Sequence, residues 1–149
     1  MSGLVKTFRD LDVYQSAMQL ALDIHGLAKA FPAEERYVLA DQMRRASRSV
    51  AANISEAWRK RRYQAAFVAR LNDAETEAAE MQAWLDFSLK AGYIDITKHE
   101  ALDARYEHLL AQIVTMIRKA KQWCNITPIL RHTDTPTPPH SHTPTLNHD

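Results

Sequence analysis

A chain of 149 residues, 46% hydrophobic and 25% charged with a net charge of +1, is sized and composed for one globular domain with a single core. No stretch approaches the roughly 18 apolar residues of a membrane span, and the N-terminus lacks the apolar run of a secretory signal. The one cysteine, Cys124, excludes an intrachain disulfide, so a reducing, cytoplasmic setting is the expectation.

The body of the chain is almost free of breakers, with three glycines in all and five of the six prolines at or after Pro128. No run alternates in the period of two that a strand needs. Apolar periodicity places a first helix from about Asp10 to Ala30, with Leu11, Tyr14, Met18, Ala21, Ile24 and Leu27 or Ala28 inward. Pro32 closes it, and Pro32-Ala-Glu-Glu opens a second helix from about Ala33 to Lys60, with acids in the first turn where the dipole favours them. A third helix spans about Arg62 to Ala91, with Phe67, Leu71, Ala74, Ala78, Met81, Leu85 and Ser88 or Leu89 inward, and Gly92 as its stop. Asp95 or Thr97 caps a fourth, running to about Asn125 and carrying Leu102, Tyr106, Leu109 or Leu110, Ile113, Ile117 and Ala120. Long helices on short connections predict an all-α, antiparallel up-down-up-down four-helix bundle over residues 1–126. Residues 127–149 hold six threonines, five prolines and four of the seven histidines. Such a composition has too little to bury to offset its ordering entropy, so a disordered C-terminal tail is expected.

The second helix carries the most information. At about 100° per residue, Leu39, Met43, Val50, Ile54 and Ala57 form one apolar stripe. Beside it run Gln42, Ala46, Ser49, Asn53 and Glu56, a small polar stripe that is either a solvated seam or a subunit contact where small residues let helices approach. Arg45 lies at its edge and, if desolvated, needs a carboxylate, for which Glu56 and Glu80 are the candidates. Charge is segregated: seven Arg or Lys against one acid between Arg44 and Arg62, then five acids and no Lys or Arg between Asn72 and Asp86. The basic members Arg44, Arg48, Arg59, Lys60, Arg61 and Arg62 are the candidates for phosphate contacts, and a closed oligomer would repeat them around one particle. The acidic third helix is expected to pair with the basic second helix across subunits.

The runs Leu11-Asp-Val-Tyr-Gln, Phe31-Pro-Ala-Glu-Glu-Arg-Tyr-Val-Leu, Gln42-Met-Arg-Arg-Ala-Ser-Arg-Ser-Val-Ala-Ala-Asn-Ile-Ser-Glu, and Glu80 through Ala91-Gly-Tyr-Ile resemble one bacterial family. It is the four-helix-bundle family encoded by intervening sequences inside 23S ribosomal RNA genes, and the resemblance covers roughly residues 8–124. The resemblance implies a ring-like homopentamer with no assigned enzymatic activity. It also implies kinship to accessory proteins of diversity-generating retroelements, which bind nucleic acid through a basic surface. This chain departs from the pattern at Ala57-Trp58, where the family carries Gly after the acid, at Thr76-Glu77, where Gly-Ser is usual, and in its tail.

The expectation is therefore a non-enzymatic homo-oligomer, a pentamer by resemblance, that binds RNA or DNA with little sequence preference. Its phosphate-contacting residues are those named above, and its assembly residues are Gln42, Arg45, Ser49, Asn53, Glu56 and Glu80. An adaptor that recruits a protein such as a reverse transcriptase is the alternative. No base-reading motif, nucleotide-binding glycine loop or catalytic triad is present. No cofactor and no metal site is expected, because neither Glu77 nor Glu80 begins the Glu-x-x-His pattern of metal-binding bundles, and His99, Glu100, Glu107 and His108 are wrongly spaced for it. The tail histidines His132, His140, His142 and His148 offer only loose Zn²⁺ or Ni²⁺ ligation in a crowded multimer.

Overall fold

The computed structural model describes residues 4–125 as a four-helix bundle with a short fifth helix at its end. The expectation of a disordered tail at 127–149 lies outside the described residues. Helix α1 is Asp12–Ala28, α2 Leu39–Arg59, α3 Gln64–Lys90, α4 Ile96–Arg118 and α5 Ala120–Trp123. Among the described residues no helix is long and apolar enough to cross a membrane.

A capping box at Thr7, whose hydroxyl accepts from the Arg9 N–H while the Asp10 carboxylate accepts from the Thr7 N–H at 3.0 Å, sets the approach to α1. The inward stripe of α1 is Leu11, Val13, Ala17, Leu20, Ala21, Ile24 and Ala28. That register leaves Tyr14 half-buried and turns Met18 outward, against the expectation for both. The second helix also starts later than its sequence suggests. Pro32 to Glu35 closes a 3-10 turn instead, with the Glu35 N–H donating to the Pro32 carbonyl at 2.9 Å, and Val38 is non-helical at φ −121° and ψ −93°. This corner lets both Phe31 and Leu39 enter the core while Tyr37 and Val38 face out.

From Leu39 onward the reading holds closely, except that Met116 rather than Ile117 is buried in α4. Leu39, Met43, Val50, Ile54 and Ala57 are all buried, as are Phe67, Leu71, Ala74, Ala78, Met81, Leu85 and Ser88 opposite them. Helix α3 ends in a Schellman motif: the Tyr93 N–H donates to the Ser88 carbonyl at 2.9 Å and the Gly92 N–H to Leu89 at 3.0 Å. That motif needs a left-handed residue, and Gly92 supplies it at φ 80°. Asp95 rather than Thr97 caps α4, its carboxylate accepting from the Lys98 N–H at 2.7 Å. The fourth helix is broken at Lys119 (φ −95°, ψ 19°), and α5 then folds Trp123 to within 6.1 Å of the Trp58 ring.

The helices do not pack equally. Helix α2 packs most extensively on α3, and α1 meets α4 only sparsely. Along that α1–α4 seam Arg105 donates to Asp23 at 2.7 Å. Open grooves of about 570 and 460 Å³ lie beside the bridge, lined by Gln15, Gln19 and His108 in one case and by Leu22, Gly26 and Lys98 in the other.

Candidate nucleic-acid interface

Helix α2 distributes its arginines by helical geometry. Arg44 and Arg48, four residues apart, share a face, and Arg59 returns to within about 60° of it some 16–22 Å further along the axis. The basic residues thus form two clusters, one on the body of α2 and one at the turn into α3.

The first cluster draws on two helices. His25 of α1 places Nδ1 3.4 Å from a terminal guanidinium nitrogen of Arg48. Arg48 has only donors, so this contact requires Nδ1 to be the acceptor of a neutral imidazole. Partial burial holds the His25 pKa below its usual value, and the charges of Lys29, Arg44 and Arg48 lower it further. Four basic side chains, His25, Lys29, Arg44 and Arg48, are therefore close enough to feel one another. Among the described residues none of Lys29, Arg44 and Arg48 has a carboxylate partner. Arg44 is half-buried, and its Nε is enclosed with no hydrogen-bond partner. His25 and Lys29 escaped the sequence reading because only the packing of α1 on α2 brings them there. A histidine and a lysine four apart on one helix flank was the sole local signal.

The second cluster is less uniform than its sequence. Arg59 and Lys60 are exposed and unbridged. Arg61 is turned back onto the protein, with its guanidinium 3.5 Å from the centroid of the Trp58 ring and its Nε donating to the Trp58 carbonyl at 2.9 Å. Burial lowers its pKa, and the charge of Arg59 adds to that against the opposing effect of Cys124. Arg62 is exposed but engaged, and the exposed ring of Tyr63 follows it. Of the six residues expected to meet phosphate, Arg61 is thus in the poorest position to do so.

The polar stripe lies along the α2–α3 seam. Arg45 donates to Glu77 at 3.1 Å, to Glu80 at 2.9 Å and to Gln42 at 3.4 Å, and Trp84 Nε1 donates to the same Glu80 oxygen at 3.1 Å. These bonds to Glu77 and Glu80 raise the Arg45 pKa. Burial works against ionisation of Glu80, but the Trp84 and Arg45 hydrogen bonds outweigh it and lower its pKa. Of the two carboxylates expected for Arg45, the structure selects Glu80 and adds Glu77. Glu56 sits 11 residues further on, about 16 Å along the helix, and takes Arg70 at 3.4 Å instead. These pairs form within one chain. Asn53 turns its amide onto the Ser49 carbonyl at 2.9 Å.

A shallow groove of about 530 Å³ lined by Asp41, Gln42, Arg44, Arg45, Arg48, Ser49 and Ala52 joins the first cationic cluster to this stripe. Next to Gln42, exposed Val38 and Phe87 flank an apolar cleft of about 140 Å³ floored by Leu39 and Trp84. Tyr37, 79% exposed, stands beside Val38. An apolar patch adjoining a polar network has the make-up of a protein contact.

Residues 9–115 match the family model described as 23S rRNA-intervening sequence protein. Among solved structures, a protein of unknown function from the S23 ribosomal protein family of Bacteroides thetaiotaomicron is similar at 27% identity and a TM-score of 0.65. The match covers 71% of this chain and 95% of that one. No curated protein matches the chain.

Proposed function

Because this chain belongs to the 23S rRNA-intervening sequence protein family, we propose that it is a cytoplasmic, non-enzymatic homo-oligomer that binds RNA or DNA through the cationic face of α2. The observation that carries this reading is the cluster of His25, Lys29, Arg44 and Arg48, drawn from two helices, with none of its cations bridged to a carboxylate among the described residues and only Asp41 lining the adjoining groove. Ordinary surface cations are interspersed with acids, whereas an uncompensated group favours a polyanion that releases counterions on binding. Arg59, Lys60 and Arg62 extend the surface at the turn. Nothing in this set reads base edges, so recognition rests on charge and shape.

The apolar patch of Tyr37, Val38 and Phe87, with Gln42 and the Arg45–Glu80 network at its border, is the assembly surface in this proposal. A pentamer, as the family resemblance implies, would repeat the cationic face five times around one particle. That same patch is what favours the second reading, an adaptor that docks a different protein there.

The test is binding of the purified protein to a structured RNA and a DNA duplex across a salt series. A log–log plot of affinity against salt that falls steeply supports the proposal, since each phosphate contact on duplex DNA contributes about −0.9 to the slope. Flat, weak binding sinks it and favours the adaptor. A pH series supplies a finer check. The His25 pKa is lowered in the free protein, and a phosphate would favour its charged form, so binding is expected to take up a proton. Affinity is expected to rise as pH falls toward and below about 6.5, the ordinary histidine value, and His25→Gln should flatten that rise. The fold itself responds in the opposite sense: because the folded pKa is the lower one, protonation of His25 in the unfolded chain erodes stability as pH falls through the same window.

A further inference from the structure

On the far side of the bundle, the seam between α3 and α4 brings together Asp86, His99 and Asp103. One ligating atom from each lies within 4.8 Å of the others. His99 and Asp103 are four apart on α4 and so share a face, while Asp86 comes from α3. Their register is held from both sides. The Schellman motif at Gly92 and the Asp95 cap fix the α3–α4 corner, and one turn along the same seam Gln82 donates to Glu107 at 2.8 Å.

Two carboxylates this close repel, and among the described residues no Lys or Arg forms an ion pair with either. The basic group beside them is the His99 imidazole, whose side chain is 15% exposed and whose Nε2 is 2.7 Å from Asp86 Oδ1. Its other nitrogen, Nδ1, is buried with no hydrogen-bond partner at all. An enclosed imidazole beside two uncompensated carboxylates is a donor set that lacks a positive charge.

We propose that Asp86, His99 and Asp103 form a binding site for one borderline divalent cation, of which Zn²⁺ is the type, with water completing its coordination. Mixed imidazole and carboxylate donors suit such ions, whereas Mg²⁺ prefers an all-oxygen shell. The fit requires a small adjustment. Donors about 2.1 Å from a tetrahedral ion stand about 3.4 Å apart, so the His99–Asp86 contact must open by about 0.7 Å. The Asp86 side chain is 62% exposed and has room to do so. The site would tie α3 to α4 near the end of the bundle. It escapes the Glu-x-x-His pattern because its imidazole and carboxylate are reversed and four apart on one helix, with the third donor on another.

The test is calorimetric titration of the full chain with Zn²⁺ and, separately, Mg²⁺. The chain should carry H132N, H140N, H142N and H148N so that the tail imidazoles do not contribute. The expected result is saturable binding of one Zn²⁺ per chain, no comparable binding of Mg²⁺, and a rise in melting temperature that chelator reverses. His99→Ala and Asp103→Asn should each weaken Zn²⁺ binding by about tenfold or more. Asp103 is half-exposed, so Asp103→Asn keeps the test decisive even where His99→Ala disturbs packing. Zn²⁺ binding that neither substitution weakens, or no saturable binding in the parent, overturns the proposal and leaves His99–Asp86 as a structural hydrogen bond only.

Discussion

Changing Arg44 and Arg48 together to glutamate is expected to weaken binding to duplex DNA by about 100-fold at low salt and to shallow the salt dependence by about two contacts for every subunit engaged. The expectation rests on what these residues do not do in the free protein. Neither is bridged to a carboxylate among the described residues, so the change orphans no partner acid, and circular dichroism should keep its helical form. It also puts two anions beside Lys29 and His25, converting the strongest part of the cationic face into a net negative one. Arg45→Glu is the informative contrast. Arg45 is held by Glu77 and Glu80, so its reversal sets three carboxylates against one another and should cost stability first. Unchanged binding in the Arg44/Arg48 variant would remove the body of α2 from the interface and leave only the turn at Arg59–Arg62.

The largest expected effect on the fold comes from Phe67→Ala. Phe67 is fully buried in the first turn of α3, and Tyr63 before it offers no side-chain cap to that helix. The α3 N-terminus is therefore held by what it buries. Truncating a buried phenylalanine costs about 3–5 kcal/mol, and at about 2–4 °C per kcal/mol for a chain of this size the melting temperature should drop by roughly 10 °C. Phe67→Leu, which keeps most of the volume, should cost far less. A drop of only a degree or two in Phe67→Ala would mean that the turn from Arg59 to Tyr63 is held by something other than this packing. Arg61 on Trp58, itself against Trp123, would then be the first place to look.

What was legible in the sequence tracks how local the determining physics is. The apolar stripe of α2 and that of α3 follow from a 3.6-residue period alone, and every residue assigned to the α2 stripe is buried. The start of α2 was not legible, because Pro32-Ala-Glu-Glu is as good an opening for an α-helix as for a 3-10 turn. The choice is made by the need to bury Phe31 and Leu39 on the two sides of a corner. Likewise Met18 belongs to an apolar pattern but sits one step off the register that α2 and α4 impose on α1. The site divides in the same way. Arg44 and Arg48 are visible on one helix, whereas His25 and Lys29 join them only through interhelical azimuth. The selection of Glu80 with Glu77 over Glu56 for Arg45 is likewise a matter of axial register between α2 and α3. Arg61 misleads for a different reason: in a run of four cations its sequence cannot reveal that one of them has an indole to lie on.

The sparse contact between α1 and α4 has a consequence for when the cationic face exists. A helix that packs well on one neighbour and poorly on the other is the natural first unit to detach while the remaining three stay folded. Detachment of α1 would carry His25 and Lys29 away from Arg44 and Arg48 and halve the cluster. The charge density offered to a polyanion is then set by a local opening equilibrium as much as by the residues themselves. A ligand that gathers all four side chains must close that equilibrium as it binds, clamping α1 onto α2.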